Sequence, residues 1–275
     1  MIGLTKSEQY RSGYQVTAIF KISLHRKDYE LLCQIRDYFG VGVITKHGET
    51  TLQYIIRSIK DLNVILSHFD TYPLISQKWS DYILFKQAIV LIKNKEHLTV
   101  EGVLKLANIK ASMNTTKNTE MIDIPGIVPV QLPILPLITA NDINPYWLAG
   151  FTSGDGCFSV SVIKSKALLG ETGWLRFILT QHNRDEILMR VIATYLGCGK
   201  INKDSKATYL VVQRISDIVK IIVPFFDKYV LEGLKLKDYE DFKAASVLMD
   251  KKAHLTSEGL EELRQIKNKM NTKRS

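Results

Sequence analysis

The stretch Asn144-Pro145-Tyr146-Trp147-Leu148-Ala149-Gly150-Phe151-Thr152-Ser153-Gly154-Asp155-Gly156-Cys157-Phe158 reads as one short helix running into a strand. Asn144 is a natural helix cap, and Pro145 suits the first helical position, where its missing N–H is not needed. Gly150 and Gly154 stand four residues apart and so share a helix face, with Ala149 and Ser153 near it. A face that smooth lets another helix backbone approach closely. Gly156 can end the helix, which predicts a helix over residues 145–155 with Asp155 at its C-terminal end. The macrodipole disfavours a carboxylate there, so a cation or other positive partner is expected beside it. Beyond it, Phe158, Val160 and Val162 alternate with Ser159 and Ser161, the pattern of a strand with one buried face.

Working outward from this stretch, the chain is written twice. Shifted by 157 residues, the sequence overlays itself without a gap from His25 to Asn114, with more than a third of the positions identical. Phe39 to Ile44 overlays Leu196 to Ile201, each with a Gly-x-Gly turn. Asp81, Tyr82, Phe85 and Lys86 overlay Asp238, Tyr239, Phe242 and Lys243, and His97-Leu98-Thr99 overlays His254-Leu255-Thr256. A period this long marks duplicated domains and excludes a solenoid of short repeats. Each copy carries the same order of elements. An alternating strand comes first, with Ala18, Phe20, Ile22 and Leu24 against Thr17, Lys21, Ser23 and His25. A helix over 28–39 or 185–196 follows, then strands near 43–46 and 52–58. Helices are expected from Ile59, from about Leu74 and from Thr99, with Thr99 and Thr256 as caps. The fold class is α+β: two pseudo-symmetric copies, each an antiparallel β-sheet with helices packed on one face.

The expected boundaries are residues 1–114 for the first copy, 115–143 for a linker and 144–275 for the second copy. Five of the seven prolines fall between Pro125 and Pro145, and residues 121–143 hold no Lys or Arg. Such sequence favours extended chain, and its Ile, Leu and Val residues predict that it lies against the protein. The apolar run is broken by Pro125, Pro129, Pro133 and Pro136, so no membrane span is expected. Cys33, Cys157 and Cys198 form no CxxC pair, which argues against a zinc ribbon or a disulfide framework. Of the 275 residues, 37 are basic and 28 acidic, a formal charge of +9. About +5 belongs to residues 1–120, −2 to 121–143 and +6 to 144–275, so both copies share the basicity. Nucleic acid, an anionic membrane and acidic proteins all suit such a surface.

Leu148-Ala149-Gly150-Phe151-Thr152-Ser153-Gly154-Asp155-Gly156 resembles, position by position, the signature helix of the LAGLIDADG homing endonucleases. The likeness extends over nearly the whole chain and is greatest to the two-copy, single-chain members encoded in mitochondrial introns of fungi. The resemblance implies two signature helices packed at a pseudo-two-fold axis, with terminal acids binding divalent metal, normally Mg²⁺, between two scissile phosphates. It implies four-stranded saddles in the major groove of double-stranded DNA at an intron insertion site, and hydrolysis of both strands. It further implies a monomer located in the mitochondrion. Some members instead assist splicing of their own intron RNA, so an RNA maturase is the alternative, and a catalytically inactive DNA-binding remnant is a third reading.

Subtracting 157 from Asp155 gives a position before Met1, so the first copy's signature helix is not among these residues; Met1 to Ser7 are expected to form only the strand that follows it. Three explanations stand: a start upstream of Met1, a degenerated reading frame, or a complete protein of this form. With one acid, weak or absent cleavage is expected, and the Gly150/Gly154 face is open to self-association.

Asp155 is thus the expected catalytic acid and metal ligand, with the Gly154 carbonyl a weaker candidate ligand by family analogy. The family also places a lysine near the metals; Lys203, with its repeat partner Lys46, is the candidate, and Lys200 is a rival. Residues expected outward on the strands to meet DNA are Gln15, Thr17, Lys21, Lys46, Gln53, Arg57, Arg176, Thr180, Lys203, Gln213 and Arg214. Arg and Lys can address guanine and Gln can address adenine, while others touch only phosphate. Arg57 and Arg214 match under the shift, which favours a shared phosphate or structural role. The paired histidines, His25 with His182 and His97 with His254, are expected to be structural or phosphate-contacting.

Overall fold

The computed structural model describes residues 1–113, 124–166 and 168–271. They divide into two units, Met1–Pro136 and Leu137–Ser275. In the first, the alternating residues form β1 (Ile2–Lys6), β2 (Tyr14–Ala18) and β3 (Phe20–His25), followed by α1 (Tyr29–Phe39), β4 (Val43–His47) and β5 (Thr51–Ile56). Helices α2 (Ile59–Thr71), α3 (Lys78–Lys93) and α4 (Val100–Ser112) complete it. β1 pairs with β2, and the second sheet runs β3-β5-β4, all antiparallel. Strands β2 and β3 are one path interrupted at Ile19, whose N–H donates to the Met1 carbonyl at 2.9 Å.

The second unit repeats this order without the interruption. It holds α5 (Pro145–Asp155), β6 (Gly156–Lys164), β7 (Glu171–His182), α6 (Glu186–Leu196), β8 (Lys200–Lys203) and β9 (Ala207–Val212). Then come α7 (Ile215–Asp217), a π-helical turn (Ile218–Ile222), α8 (Val223–Lys228), α9 (Leu234–Asp250) and α10 (Ser257–Lys269). The sheet order is β6-β7-β9-β8. Period two sorts its faces: Phe158, Val160, Leu175, Phe177, Leu179, Leu210 and Val212 are buried, while Ser159, Ser161, Trp174 and Arg176 face the other way.

Local chemistry sets the helix ends. The Thr99 and Thr256 hydroxyls accept from the N–H groups of Gly102 and Gly259, as the sequence predicts. Gly40 and Gly197 close α1 and α6 at φ 66° and 68°, a backbone that favours glycine. Helix α3 begins at Lys78, later than the expected start near Leu74. Pro73 disfavours helical backbone at Tyr72, and the Ser76 hydroxyl accepts from the Lys78 N–H at 3.3 Å.

The repeated Asp-Tyr-x-x-Phe-Lys becomes a helix-to-helix clamp in both units. Tyr82 donates to Asp70 at 2.6 Å and Lys86 donates to both Asp70 oxygens; Tyr239, Asp227 and Lys243 repeat this. Lys86 and then Tyr82 hold the Asp70 carboxyl below its ordinary value. Burial opposes the same shift at Asp227, but Lys243 and Tyr239 prevail. A carboxyl depressed in the folded state contributes stability that is present above its unfolded pKa, about 4, and lost as pH falls through its folded value. The double replacement Asp70→Asn with Asp227→Asn is therefore expected to lower Tm at pH 7 and to lessen its fall between pH 5 and 2. Thermal melts across that range check this.

The gapless overlay does not survive the pairing registers. Lys46 pairs with Leu52, whereas Lys203 pairs with Thr208, so the second hairpin is one residue shorter. The paired positions Ile56 and Val212 then differ by 156, and Arg57 corresponds to Gln213 while Ser58 corresponds to Arg214. The copies return to step inside the next helix, where the single extra residue of Ile215–Lys228 over Ile59–Thr71 is taken up by the π-helical turn. The expected equivalence of Arg57 with Arg214 is thus corrected, and with it the shared role drawn from it.

Part of the expected linker, residues 115–123, lies outside the described residues. The rest lies along the first unit up to Pro136: the Val128 N–H donates to the Asn108 side chain, and Ser112 and Ser80 donate to the carbonyls of Val130 and Pro133. Among the described residues, no helix is long and apolar enough to cross a membrane.

Candidate metal and nucleic-acid site

Helix α5 delivers Asp155 to the edge of the second unit's four-stranded sheet. Asn144 caps it by accepting from the Tyr146 and Trp147 N–H groups, and Leu148, Ala149 and Thr152 bury its inner face. Gly156 ends the helix in an extended conformation at φ −79°, so left-handed freedom is not its purpose. A Cβ there would stand 2.5 Å from the Thr152 methyl and 2.6 Å from its carbonyl oxygen. Glycine lets the chain turn from helix into β6 without a linker, which fixes Asp155 at the junction. Gly150 and Gly154 are exposed, and a Cβ at either meets no other described atom within 4 Å.

Asp155 is exposed, and Gln181 Nε2 donates to its Oδ2 at 2.6 Å. One residue on, Lys235 Nζ donates to the Gly156 carbonyl at 2.6 Å, and the Glu232 N–H donates to the Ser153 hydroxyl at 3.0 Å. Lys235, at the start of α9, thus brings a cation to the carbonyl of the residue after Asp155. Neither residue is among the site candidates expected from the sequence. Gln181 is a polar residue on the core-facing row of β7, where the first copy has Leu24; Lys235 matches Lys78 under the shift. In the first unit, Lys78 stands at the rim of an apolar groove of about 830 Å³ lined by Leu4, Phe69, Leu74, Tyr82 and Phe85.

The DNA candidates separate into three groups. Gln15, Thr17, Lys21, Gln53, Arg176 and Thr180 lie on the outward rows of the strands. Gln53 is covered by its neighbours, only 6% exposed, and donates to the Ser23 hydroxyl at 3.0 Å. Arg57, Gln213 and Arg214 follow directly after β5 and β9, beyond the last strand residue. Lys46 and Lys203 fall on the helix-covered row instead, because they pair with Leu52 and Thr208. Lys203 Nζ there donates to Glu186 of α6 at 2.6 Å, and Lys203 and Arg190 together hold that carboxyl below its ordinary value. Both are corrected as outward residues; Lys200, opposite Val211, is the outward lysine of β8. His25 and His182 each accept a backbone N–H through Nδ1, from Lys27 and Arg184, which is a capping role.

Among the described residues, no three His, Cys, Asp or Glu side chains converge to form a protein-only metal cage. One exposed carboxylate at a helix end, where backbone carbonyls lack intrahelical partners, nonetheless fits a hard cation that keeps waters and completes its shell with phosphate oxygens. Mg²⁺ binds in this way.

The helix-to-strand junction with its terminal acid, and the two sheet-and-helix copies, define a duplicated α+β class. The chain belongs to the LAGLIDADG endonuclease family, whose description matches residues 1–89 and 148–246. It is 39% identical over 261 residues to probable intron-encoded endonuclease 3 of Neurospora crassa, covering 93% of this chain and 49% of that protein. It is 88% identical over 101 residues to an uncharacterized 50.9 kDa protein in ND4 intron 1 of Podospora anserina, covering 36% of this chain and 22% of that one. The chain thus spans about half or less of the length of these curated relatives. Among solved structures, the I-SmaMI LAGLIDADG homing endonuclease bound to cleaved DNA superposes with a TM-score of 0.95. It is 40% identical, and the match covers 100% of this chain and 93% of that one.

Proposed function

We propose that this chain is a site-specific DNA endonuclease of the homing type, encoded in a fungal mitochondrial intron. The observation that carries this reading is Asp155, set at the end of α5 against Gln181 with Lys235 on the next carbonyl, at the edge of a sheet whose outward row bears Lys200, Arg176 and Thr180. Its relatives support it: I-SmaMI has been solved on uncleaved target with calcium ions present, and several curated relatives are named as intron-encoded endonucleases.

The outward side chains grip phosphates and present donors to base edges, which places one phosphodiester against the α5 terminus. Asp155 and the Gly154 carbonyl would hold Mg²⁺, which when bound neutralises phosphate charge and lowers the pKa of coordinated water. Gln181 fixes the rotation of the Asp155 carboxylate. Lys235 supplies positive charge beside the same phosphate and stabilises the charge that builds on it as the P–O bond breaks.

The test is selection of bound and cut molecules from a randomised duplex pool, with and without Mg²⁺. Binding is expected to need no metal and to fall about 10³-fold between 50 and 200 mM salt if about six phosphates are contacted. Strand scission is expected only with Mg²⁺. Preference for intron RNA over every duplex, with no scission, would replace this reading by a splicing role.

A further inference from the structure

The second unit's sheet carries a concavity of about 580 Å³ where β9 ends, bounded by Trp174, Cys198, Lys200, Gln213, Arg214 and Asp217. Trp174 sits on the outward row of β7, opposite Ser161, and is 40% exposed. Along the same row Arg176 and Thr180 are polar and Ile178 is partly buried, so Trp174 leaves part of a large apolar surface in water on the outward face. Burial pushes the Cys198 thiol up to about 11, with Asp217 adding to the shift, which leaves it a neutral wall of the concavity. Arg214 lies 4.0 Å from Asp217, a long ion pair that leaves the guanidinium 76% exposed.

The residues that bound the concavity differ between the two copies. In the corrected register the first copy has Thr17, Val43, Arg57 and Ser58 where the second has Trp174, Lys200, Gln213 and Arg214. Two of the four, Gln213 and Arg214, lie in the stretch where the copies are out of step, between the shortened hairpin and the π-helical turn. The π-turn follows directly on Asp217 at the concavity wall, in keeping with the tendency of such turns to border functional sites.

The major groove of a duplex offers one apolar group, the thymine 5-methyl, and beside it the acceptors and donors of purine edges. We propose that Trp174 reads a thymine methyl and that Gln213, with Lys200 or Arg214, reads the neighbouring base or its phosphate. Trp174 lies six residues along β7 from Thr180, which is about 20 Å of strand at ~3.4 Å per residue. That equals about six base pairs of duplex rise. The thymine therefore lies in the outer part of the half-site, well away from Asp155. This inference rests on the reading that the outward sheet binds duplex DNA.

The probe is a duplex selected by the wild-type chain from the randomised pool, with each thymine replaced singly by deoxyuracil, which lacks only the methyl. One outer position is expected to lose about fourfold in affinity, the worth of one buried methyl. Trp174→Thr, the residue the first copy has there, and Trp174→Ala should each abolish the penalty at that position and leave the other thymines unchanged. An identical thymine profile in wild type and both variants overturns the inference while leaving duplex binding intact. Loss of single-stranded RNA binding, with duplex binding unchanged in the variants, overturns it in favour of base stacking. Absence of duplex binding by the wild type overturns the proposed function itself.

Discussion

In a chain extended upstream of Met1 to carry the first signature helix, Asp155→Asn is expected to reduce cleavage by at least about 100-fold, the order found when a single transition-state contact is removed. Duplex affinity should change by no more than about twofold. The reasoning separates charge from shape. Asparagine has the size of aspartate, and its side-chain carbonyl can still accept from Gln181, which now donates at 2.6 Å. The helix-to-strand turn at Gly156 depends on Thr152 and not on the carboxylate. What disappears is the negative charge that binds a hard cation. The substitution carries a second signature. A carboxylate at a helix C-terminus opposes the macrodipole, so its neutral isostere should raise Tm slightly. A variant more stable, equally tight on DNA and inactive identifies a residue kept for chemistry against its structural cost. Strand-specific nicking assays, a filter-binding titration and a melt measure the three quantities. Retained cleavage would remove Asp155 from the mechanism.

The α5 reading was legible because each of its signals is local. A cap, a proline at the first turn, two glycines four apart and an acid before a glycine lie within thirteen residues, and the structure follows them from Asn144 to Gly156. The duplication was legible because identities at a fixed shift accumulate over a whole domain. The same reliance on a constant shift hid its exception. One residue lost from the β8–β9 hairpin and regained in a π-turn leaves the flanking identities in place, while every residue between them is displaced by one. Arg57 and Arg214 coincide in the string and not in space. Pairing register also decided the lysines. Lys46 and Lys203 follow a turn that looks exposed, but period two puts them on the helix side, where Glu186 holds Lys203. The site residues missed, Gln181 and Lys235, reach Asp155 and the Gly156 carbonyl from 26 and 79 positions away along the chain. No local pattern carries that distance. Only their oddities mark them: a polar residue in an apolar row, and a lysine present in both copies.

Phe158→Ala is expected to destabilise the second unit by about 3–5 kcal/mol, the usual range for emptying a buried phenylalanine site. Phe158 is completely buried three residues after Asp155, and its ring stands 5.2–5.6 Å from those of Phe177, Phe226, Tyr239 and Phe242. Those four belong to β7, α8 and α9, so one side chain ties the strand leaving the acid to both helices behind the sheet. Its carbonyl also accepts from Asn271 Nδ2 at 3.0 Å, and the Asn271 N–H donates to Asp238 at 2.9 Å. Neighbours held by so many contacts cannot collapse into the space, and so the cavity cost adds to the lost burial. Calorimetry of the full chain should show the transition assigned to Leu137–Ser275 moving down while that of Met1–Pro136 stays in place. Phe158→Leu, which keeps most of the volume, should retain more than half of the lost stability. Because β6 begins at the residue after Asp155, a loosened Phe158 also frees the acid. At a temperature where Phe158→Ala remains folded, cleavage should fall further than duplex binding does. Equal losses of both would show that the aromatic cluster holds the sheet alone and leaves the placement of Asp155 to Gly156 and Gln181.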